Sequence, residues 1–162
     1  FLNSKKGKGN AAAIVVGGAL EVLDTIPNKM NLTLKKRKGF VRLALKHGAS
    51  LVPVISFGEN DLFTTMHEEE SLYNRIQEKI IKAIGFPIPA FYGRGLFQYS
   101  FGIVPFRKPI TTVVGKPIDT EATPNPTQEQ IDALHQTYID AVVQLFEENK
   151  DKYGAADVVL KI

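Results

Sequence analysis

Residues 37–61 read RKGFVRLALKHGASLVPVISFGEND, a helix pattern followed directly by a strand pattern. Four residues of the first part share one helical face: Phe40, Leu43, Ala44 and His47. Gly48 then supplies a helix stop. The run LVPVISF at 51–57 is apolar and β-branched and ends at a glycine, which predicts a buried strand. Because a helix, a short turn and a buried strand make up half of a βαβ unit, this stretch predicts an α/β fold.

The remaining chain contains further elements of the same two kinds. Residues 11–16 form a short apolar run ended by two glycines and predict another buried strand, as does TTVVG at 111–115. Capping-box patterns at Thr65 and Thr127 predict two helices that run to about residues 84 and 152. We therefore predict one α/β unit, a mostly parallel sheet flanked by helices, with no domain boundary within residues 1–162.

Composition narrows the class of protein. With 162 residues, of which 44% are hydrophobic and 23% charged, the chain is long and apolar enough for a core. The absence of cysteine excludes a disulfide scaffold, a thiolate zinc site and a cysteine nucleophile. The longest nearly uninterrupted apolar run, residues 11–20, is too short for a spanning helix, which needs about 20 residues. The chain begins with Phe1, and we expect it to be a fragment that is incomplete at its N-terminus.

Charge is concentrated in the first third of the chain. Residues 1–48 contain ten Lys/Arg and two acidic residues, a net charge of +8, whereas residues 49–162 have a net charge of −5. This asymmetry indicates a phosphorylated ligand or an anionic surface.

The basic cluster KKRKGFVR, residues 35–42, coincides with the predicted helix start. Adjacent cations repel one another and are disfavoured by the positive end of the helix dipole, so a bound anion explains Arg37, Lys38 and Arg42 best. A solvated charge run or a patch resembling a nuclear localisation sequence is the open alternative. Nucleic-acid binding is disfavoured because the basic residues do not continue as a stripe and the aromatic residues lie elsewhere.

Two other segments combine strand ends with groups that could contact a ligand. Gly17-Gly18 and the following Glu21 would bring bare backbone amides and a carboxylate to one strand end, although a tight turn with a surface acid is the simpler interpretation. Asn60 and Asp61 follow the strand at 51–57, where α/β sheets bind ligands. An Asx turn that caps a helix explains them equally well.

The segment 86–106 contains seven of the fifteen aromatic residues among prolines and glycines and follows no period. It predicts irregular structure, with aromatic side chains that serve either the core or a lipid surface. The three histidines have no nucleophile or metal-ligand partners at a recognisable spacing, which favours structural or surface roles.

Several blocks taken together resemble one enzyme family. They are GNAAAIVVGGALEVL (9–23), LKKRKGFVRLALKHGASLVPVISFGENDLF (34–63), GRGLF (93–97), GIVPFRKPITTVVGKPI (102–118) and PTQEQID (126–132). In this order they resemble the type-2 diacylglycerol acyltransferase family, which also contains monoacylglycerol and wax-alcohol acyltransferases. Residues 21–53 are more distantly similar to the glycerolipid acyltransferase pattern, which implies that fold.

The resemblance implies transfer of a fatty acyl group from acyl-CoA to the hydroxyl of diacylglycerol, giving triacylglycerol and CoA. The family uses the histidine of a His-Pro-His-Gly motif as general base, and we expect this motif upstream of Phe1. This fragment alone is therefore expected to be inactive. Acyl transfer needs no metal or redox cofactor, so none is expected.

The resemblance also assigns roles to particular residues. Arg37, Lys38 and Arg42 would bind the CoA phosphates, and the amides at Gly17 and Gly18 would face the thioester carbonyl. Glu21 would orient the catalytic histidine or a bound ligand, and Asn60 and Asp61 would lie at the mouth of the same cleft.

The resemblance implies acyl-CoA, diacylglycerol and membrane lipid as binding partners, and no nucleic acid. It also allows the protein to form a homo-oligomer. The implied location is the endoplasmic reticulum membrane and lipid droplets. Monoacylglycerol or a long-chain alcohol is the alternative acceptor, because acceptor choice depends on pocket shape. A non-catalytic module that binds lipid surfaces is the alternative from a different class.

Overall fold

The computed structural model describes residues 9–17, 29–65, 91–99 and 102–162. Its elements, in chain order, are β1 (Lys29–Asn31), α1 (Gly39–His47), β2 (Val54–Phe57), a 3-10 turn (Glu59–Asp61), β3 (Thr64–Thr65), β4 (Phe91–Tyr92), β5 (Thr111–Val114), α2 (Gln128–Asn149) and β6 (Val159–Lys161). The helix predicted from Thr65 to about residue 84 falls almost entirely outside these residues. Neither α1 nor α2 is long and apolar enough to cross a bilayer.

Local sequence determines where both helices begin or end. Gly48 follows α1 in the left-handed conformation, with φ of 61°, and its N–H donates to the helix carbonyls. At the start of α2, the Thr127 hydroxyl accepts the Gln130 N–H, and the Gln130 side chain accepts the Thr127 N–H. The predicted helix stop and the predicted capping box are therefore confirmed.

The buried face of α1 differs from the predicted one. Val41 and Ala44 are buried, whereas Leu43 is 50% exposed. Phe40 packs edge-on against Tyr138 of α2, with 5.1 Å between ring centroids. The buried face of α1 is the one that contacts α2, and Ala44 lies at its middle. The local sequence pattern does not specify this contact.

Within residues 29–65, 91–99 and 102–162, the strands pair in three two-stranded sheets. β1 is parallel to β6, β2 is antiparallel to β5, and β3 is antiparallel to β4. Helices combined with small sheets agree with the predicted α/β class. Parallel pairing does not predominate among the described strands, however, since two of the three pairs are antiparallel.

The burial of β2 agrees with its antiparallel pairing to β5. Ile55 and Phe57 are buried, while Val54 on the other face is 49% exposed. This alternation is typical of an antiparallel strand with one covered face, whereas a central parallel strand is covered on both faces. The continuous apolar run at 51–57 does not by itself distinguish the two cases.

Residues 11–16 do not form the predicted buried strand. The structure assigns no strand to them, and Ile14 and Val15 are 61% and 83% exposed. An apolar run becomes a strand only where a neighbour pairs with its backbone, and no strand in the described part of the chain does so. Gly17, the next residue, is buried.

The main core lies between α2 and the β2–β5 sheet. Its buried members are Leu34, Ile55, Phe57, Ile139, Val142, Leu145, Phe146 and Ala155. The rings of Phe57 and Phe146 stack with their centroids 5.8 Å apart. Because these two residues join β2 to α2, their contact positions the strand against the long helix.

His135 is a structural histidine, as the sequence predicted. It is 4% exposed, and its Nε2 lies 3.1 Å from the carbonyl oxygen of Leu34. A carbonyl can only accept, so the Nε2 proton is donated, and the same oxygen also accepts the Arg37 N–H. The bond holds the segment before α1 against α2.

Replacing His135 tests this bond. We expect His135→Leu to lower the free energy of unfolding by about 1 kcal/mol, because one of the two hydrogen bonds to Leu34 is lost. His135→Gln, whose amide can donate from a similar position, should lose less. Thermal unfolding of both variants measures the difference, and equal midpoints for the two would contradict the role given to the bond.

Candidate functional site

Three cations form a stripe along α1 and face the first turns of α2. Lys38, Arg42 and Lys46 are spaced by four residues and therefore lie on one helical face. Lys38 is paired with Asp132 of α2, at 2.7 Å between Nζ and Oδ1. The other two cations line an open cleft.

This basic cleft has a volume of about 370 Å³. Its lining residues come from α1, from the loop before α2 and from the first turn of α2: Arg42, Lys46, Pro124, Asn125, Pro126, Gln128 and Ile131. Among the described residues, this lining contains two cations and no acid. The positive end of the 22-residue helix α2 lies at the same place, so side chains and dipole both favour an anion.

The chemistry of the basic cleft suits a phosphate group. Arg42 and the Gln128 amide can donate hydrogen bonds in a planar geometry, and Lys46 supplies a second charge on a flexible stem. The volume is sufficient for phosphate groups with part of the molecule that carries them. The lining residues that the structure describes include no catalytic acid or base.

Lys38 differs from its two neighbours on the stripe because its charge is balanced. Asp132 accepts from Lys38 and, through the same Oδ1 atom, from Nε2 of Gln128 at 2.7 Å. The hydrogen bond from Lys38, followed by that from Gln128, lowers the pKa of Asp132 below its usual value. Asp132 thus connects the stripe to the residue at the cleft edge.

Titration of Asp132 tests this connection. In Lys38→Met, we expect the pKa of Asp132 to rise toward its usual value, measured by NMR of the carboxyl carbon. Because the folded-state pKa is the lower one, the pair stabilises the fold above the unfolded pKa and loses this contribution as pH falls through the folded pKa. The difference in thermal midpoint between wild type and variant should therefore vanish at low pH. An unchanged pKa in the variant would contradict the pairing.

The other residues singled out by the sequence do not gather at the basic cleft. Arg37 is exposed and does not line it. Asn60 and Asp61 lie in the 3-10 turn after β2, where the Asn60 amide donates to the Lys29 carbonyl at 3.1 Å. Neither residue lines the basic cleft, and their place beside the reacting thioester stays a prediction. Gly18 and Glu21 lie outside the described residues.

Lys46 was missed as a candidate. Its position in the last turn of α1 hides it from an argument based on the helix start. The four-residue spacing from Arg42 is visible in the sequence and would have identified it, but only the packing of α1 against α2 shows that this face borders a cleft.

Comparison with known proteins gives a consistent result over the whole chain. The family model "Diacylglycerol acyltransferase" matches residues 1–162. 2-Acylglycerol O-acyltransferase 1 of Homo sapiens is 55% identical over 155 residues, which cover 95% of this chain and 46% of that protein. Diacylglycerol O-acyltransferase 2 of Homo sapiens is 51% identical over 156 residues, covering 95% of this chain and 40% of that protein. No solved structure matches.

The chain spans less than half the length of these relatives. The match nevertheless extends from the first residue to the last, and it includes the basic stripe and both helices described above. The chain therefore belongs to the diacylglycerol acyltransferase family.

Proposed function

We propose that the protein carrying this chain transfers a fatty acyl group from acyl-CoA to a hydroxyl group of an acylglycerol. The observation that carries the proposal is the family match over residues 1–162, together with relatives named as acylglycerol O-acyltransferases. The hydroxyl oxygen attacks the thioester carbonyl, the ester bond forms, and CoA leaves with the proton that the hydroxyl gives up. Oxidation states do not change, so the reaction requires no redox cofactor.

We propose diacylglycerol as the acceptor, so that the product is triacylglycerol. A second candidate is a 2-acylglycerol, because the relatives of that name are 51–56% identical to this chain, against 51–52% for those named diacylglycerol O-acyltransferase 2. The acceptor hydroxyl has a pKa far above neutrality, so a general base must take its proton during attack. We propose that a histidine outside the described residues does so.

We propose that the basic cleft binds the phosphates of acyl-CoA. Its two cations and the N-terminus of α2 supply the positive potential. Arg37, just before α1, adds one further positive charge, whereas the charge of Lys38 is balanced by Asp132. Phosphate binding far from the thioester orients the reacting carbonyl, which is how remote binding energy contributes to a rate. The roles proposed for the Gly17 and Gly18 amides, Glu21, Asn60 and Asp61 rest on the family resemblance. The same holds for the endoplasmic reticulum membrane and lipid droplets as the location.

An acceptor panel tests the proposed reaction. Membranes containing the full-length protein are given labelled oleoyl-CoA with diacylglycerol, 2-monoacylglycerol, a long-chain alcohol or no acceptor. We expect labelled triacylglycerol with diacylglycerol, above membranes that lack the protein. A larger rate with 2-monoacylglycerol would favour the second candidate, and no labelled ester with any acceptor would favour a non-catalytic lipid-binding protein.

A further inference from the structure

Four large apolar side chains are exposed on a short hairpin between β4 and β5. Two antiparallel bridges, Gly93 with Gly102 and Arg94 with Val104, form its neck. The apolar prong, as we name this surface, consists of Leu96, Phe97, Tyr99 and Ile103. Their exposed fractions are 77%, 101%, 56% and 91%. Within the segment predicted to be irregular, the structure thus pairs Gly93 with Gly102 and Arg94 with Val104 and leaves these four apolar side chains exposed to solvent.

The neck of the hairpin admits no side chain at either glycine. A Cβ at Gly93 would overlap the carbonyl of Val104, and a Cβ at Gly102 would overlap the carbonyl of Arg94. The Arg94 guanidinium closes the neck further, because it donates to the carbonyls of Pro105 and Gly95 at 3.2 and 3.3 Å. The close strand approach and this side chain give the prong a fixed base.

Aromatic packing joins the prong to the rest of the described structure. The Tyr99 hydroxyl accepts the Arg107 N–H at 3.2 Å, and the Tyr99 ring lies 5.9 Å from the ring of Phe106. The Phe106 N–H in turn donates to the Leu62 carbonyl at 2.8 Å. Phe97 and Ile103 are therefore exposed on a segment whose neighbouring residues are held in place by hydrogen bonds and ring contacts.

Charge around the prong complements an anionic surface. Residues 91–118 contain four Lys/Arg and no acidic residue. Two of these cations, Arg107 and Lys108, are exposed, and the Arg107 backbone is bonded directly to Tyr99. Apolar and aromatic side chains flanked by cations are the pattern by which proteins enter the headgroup region of anionic membranes.

We propose that the apolar prong inserts into the headgroup region of a phospholipid membrane that carries anionic lipid. Phe97, Leu96 and Ile103 would reach the acyl-chain boundary, Tyr99 would remain at headgroup level with its hydroxyl bonded, and Arg107 and Lys108 would contact lipid phosphates. The inference concerns a contact surface and does not depend on acyl transfer.

A tryptophan probe tests the insertion directly, because this chain contains no tryptophan. The full-length protein with Phe97→Trp is reconstituted in vesicles of phosphatidylcholine and phosphatidylserine, with and without bromine on the phosphatidylcholine chains. We expect the brominated lipid to remove most of the fluorescence that the substitution adds. Val159→Trp is the matched control: Val159 is also apolar and 63% exposed but lies on β6, and it should be quenched little.

Two further variants make the test specific. Ile103→Trp should be quenched like Phe97→Trp, which guards against a local disturbance at one position. Replacing Arg107 and Lys108 with Ala in the Phe97→Trp background should reduce the ratio of inserted to free prong by roughly fivefold per cation removed. Equal quenching of the Phe97→Trp and Val159→Trp proteins would overturn the proposal. A blue-shifted probe that brominated lipid does not quench would also overturn it, since a protein or a second copy would then cover the prong.

Discussion

Phe146→Ala is expected to lower the free energy of unfolding by about 3–5 kcal/mol, the range for deleting a fully buried Phe side chain. Phe146 is 0% exposed and stacks on Phe57, so the substitution leaves a cavity where α2 meets β2. For a chain of this length, each kcal/mol corresponds to a shift of roughly 2–4 °C in the thermal midpoint. Thermal unfolding followed by circular dichroism measures the loss.

Val143→Ala is the matched control for this prediction. Val143 lies three residues earlier on α2 but is 37% exposed, so its truncation removes little buried area and leaves no enclosed cavity. We expect a shift well under half of that caused by Phe146→Ala. Similar shifts for both variants would mean that the contact between α2 and β2 does not carry the stability attributed to it.

Replacing Arg42 and Lys46 together with Ala is expected to raise the apparent KM for acyl-CoA by roughly 10- to 100-fold, as for the loss of charged hydrogen bonds to a phosphate. Both side chains line the basic cleft, and they are the two cations among its described lining residues. Because the phosphates lie far from the thioester, kcat should fall less than kcat/KM. Initial rates of the full-length protein at varied oleoyl-CoA, with acceptor held constant, separate the two parameters.

Lys35→Ala combined with Lys36→Ala controls for charge alone. These residues precede α1, are exposed and do not line the basic cleft, yet their removal changes net charge by the same amount. We expect a change in KM of less than about threefold, because exposed charges act only through a screened field. An equal rise in both double variants would show that the cleft is not the phosphate site. The acyltransferase reaction would still stand if the acceptor panel gave product.

Local features were predictable because neighbouring residues alone produce them. The capping box at Thr127 involves residues three apart, and the helix stop at Gly48 needs only a residue that tolerates positive φ. The family was also recognisable from the sequence, because blocks such as RKGFVRLALKHGA combine many residue choices in a fixed order.

Other features depend on partners that are distant in the chain. Residues 11–16 and the β2 run look alike in composition, but only β2 finds a pairing strand, β5, more than fifty residues away. In the same way, Lys38 and Arg42 look equivalent in the basic cluster. Asp132, which lies 94 residues beyond Lys38, balances the charge of Lys38. It leaves Arg42 facing the basic cleft.

The end of α1, the start of α2, the concentration of positive charge, the α/β class and the family could all be read from local sequence. Strand pairing, the buried face of α1, the grouping of cations at the basic cleft and the exposure of the apolar prong all depend on how distant parts of the chain meet in the fold. The physical reason is range: caps, turns and periodicity depend on residues a few positions apart, whereas pairing, burial and electrostatic neutralisation depend on groups that folding alone brings together.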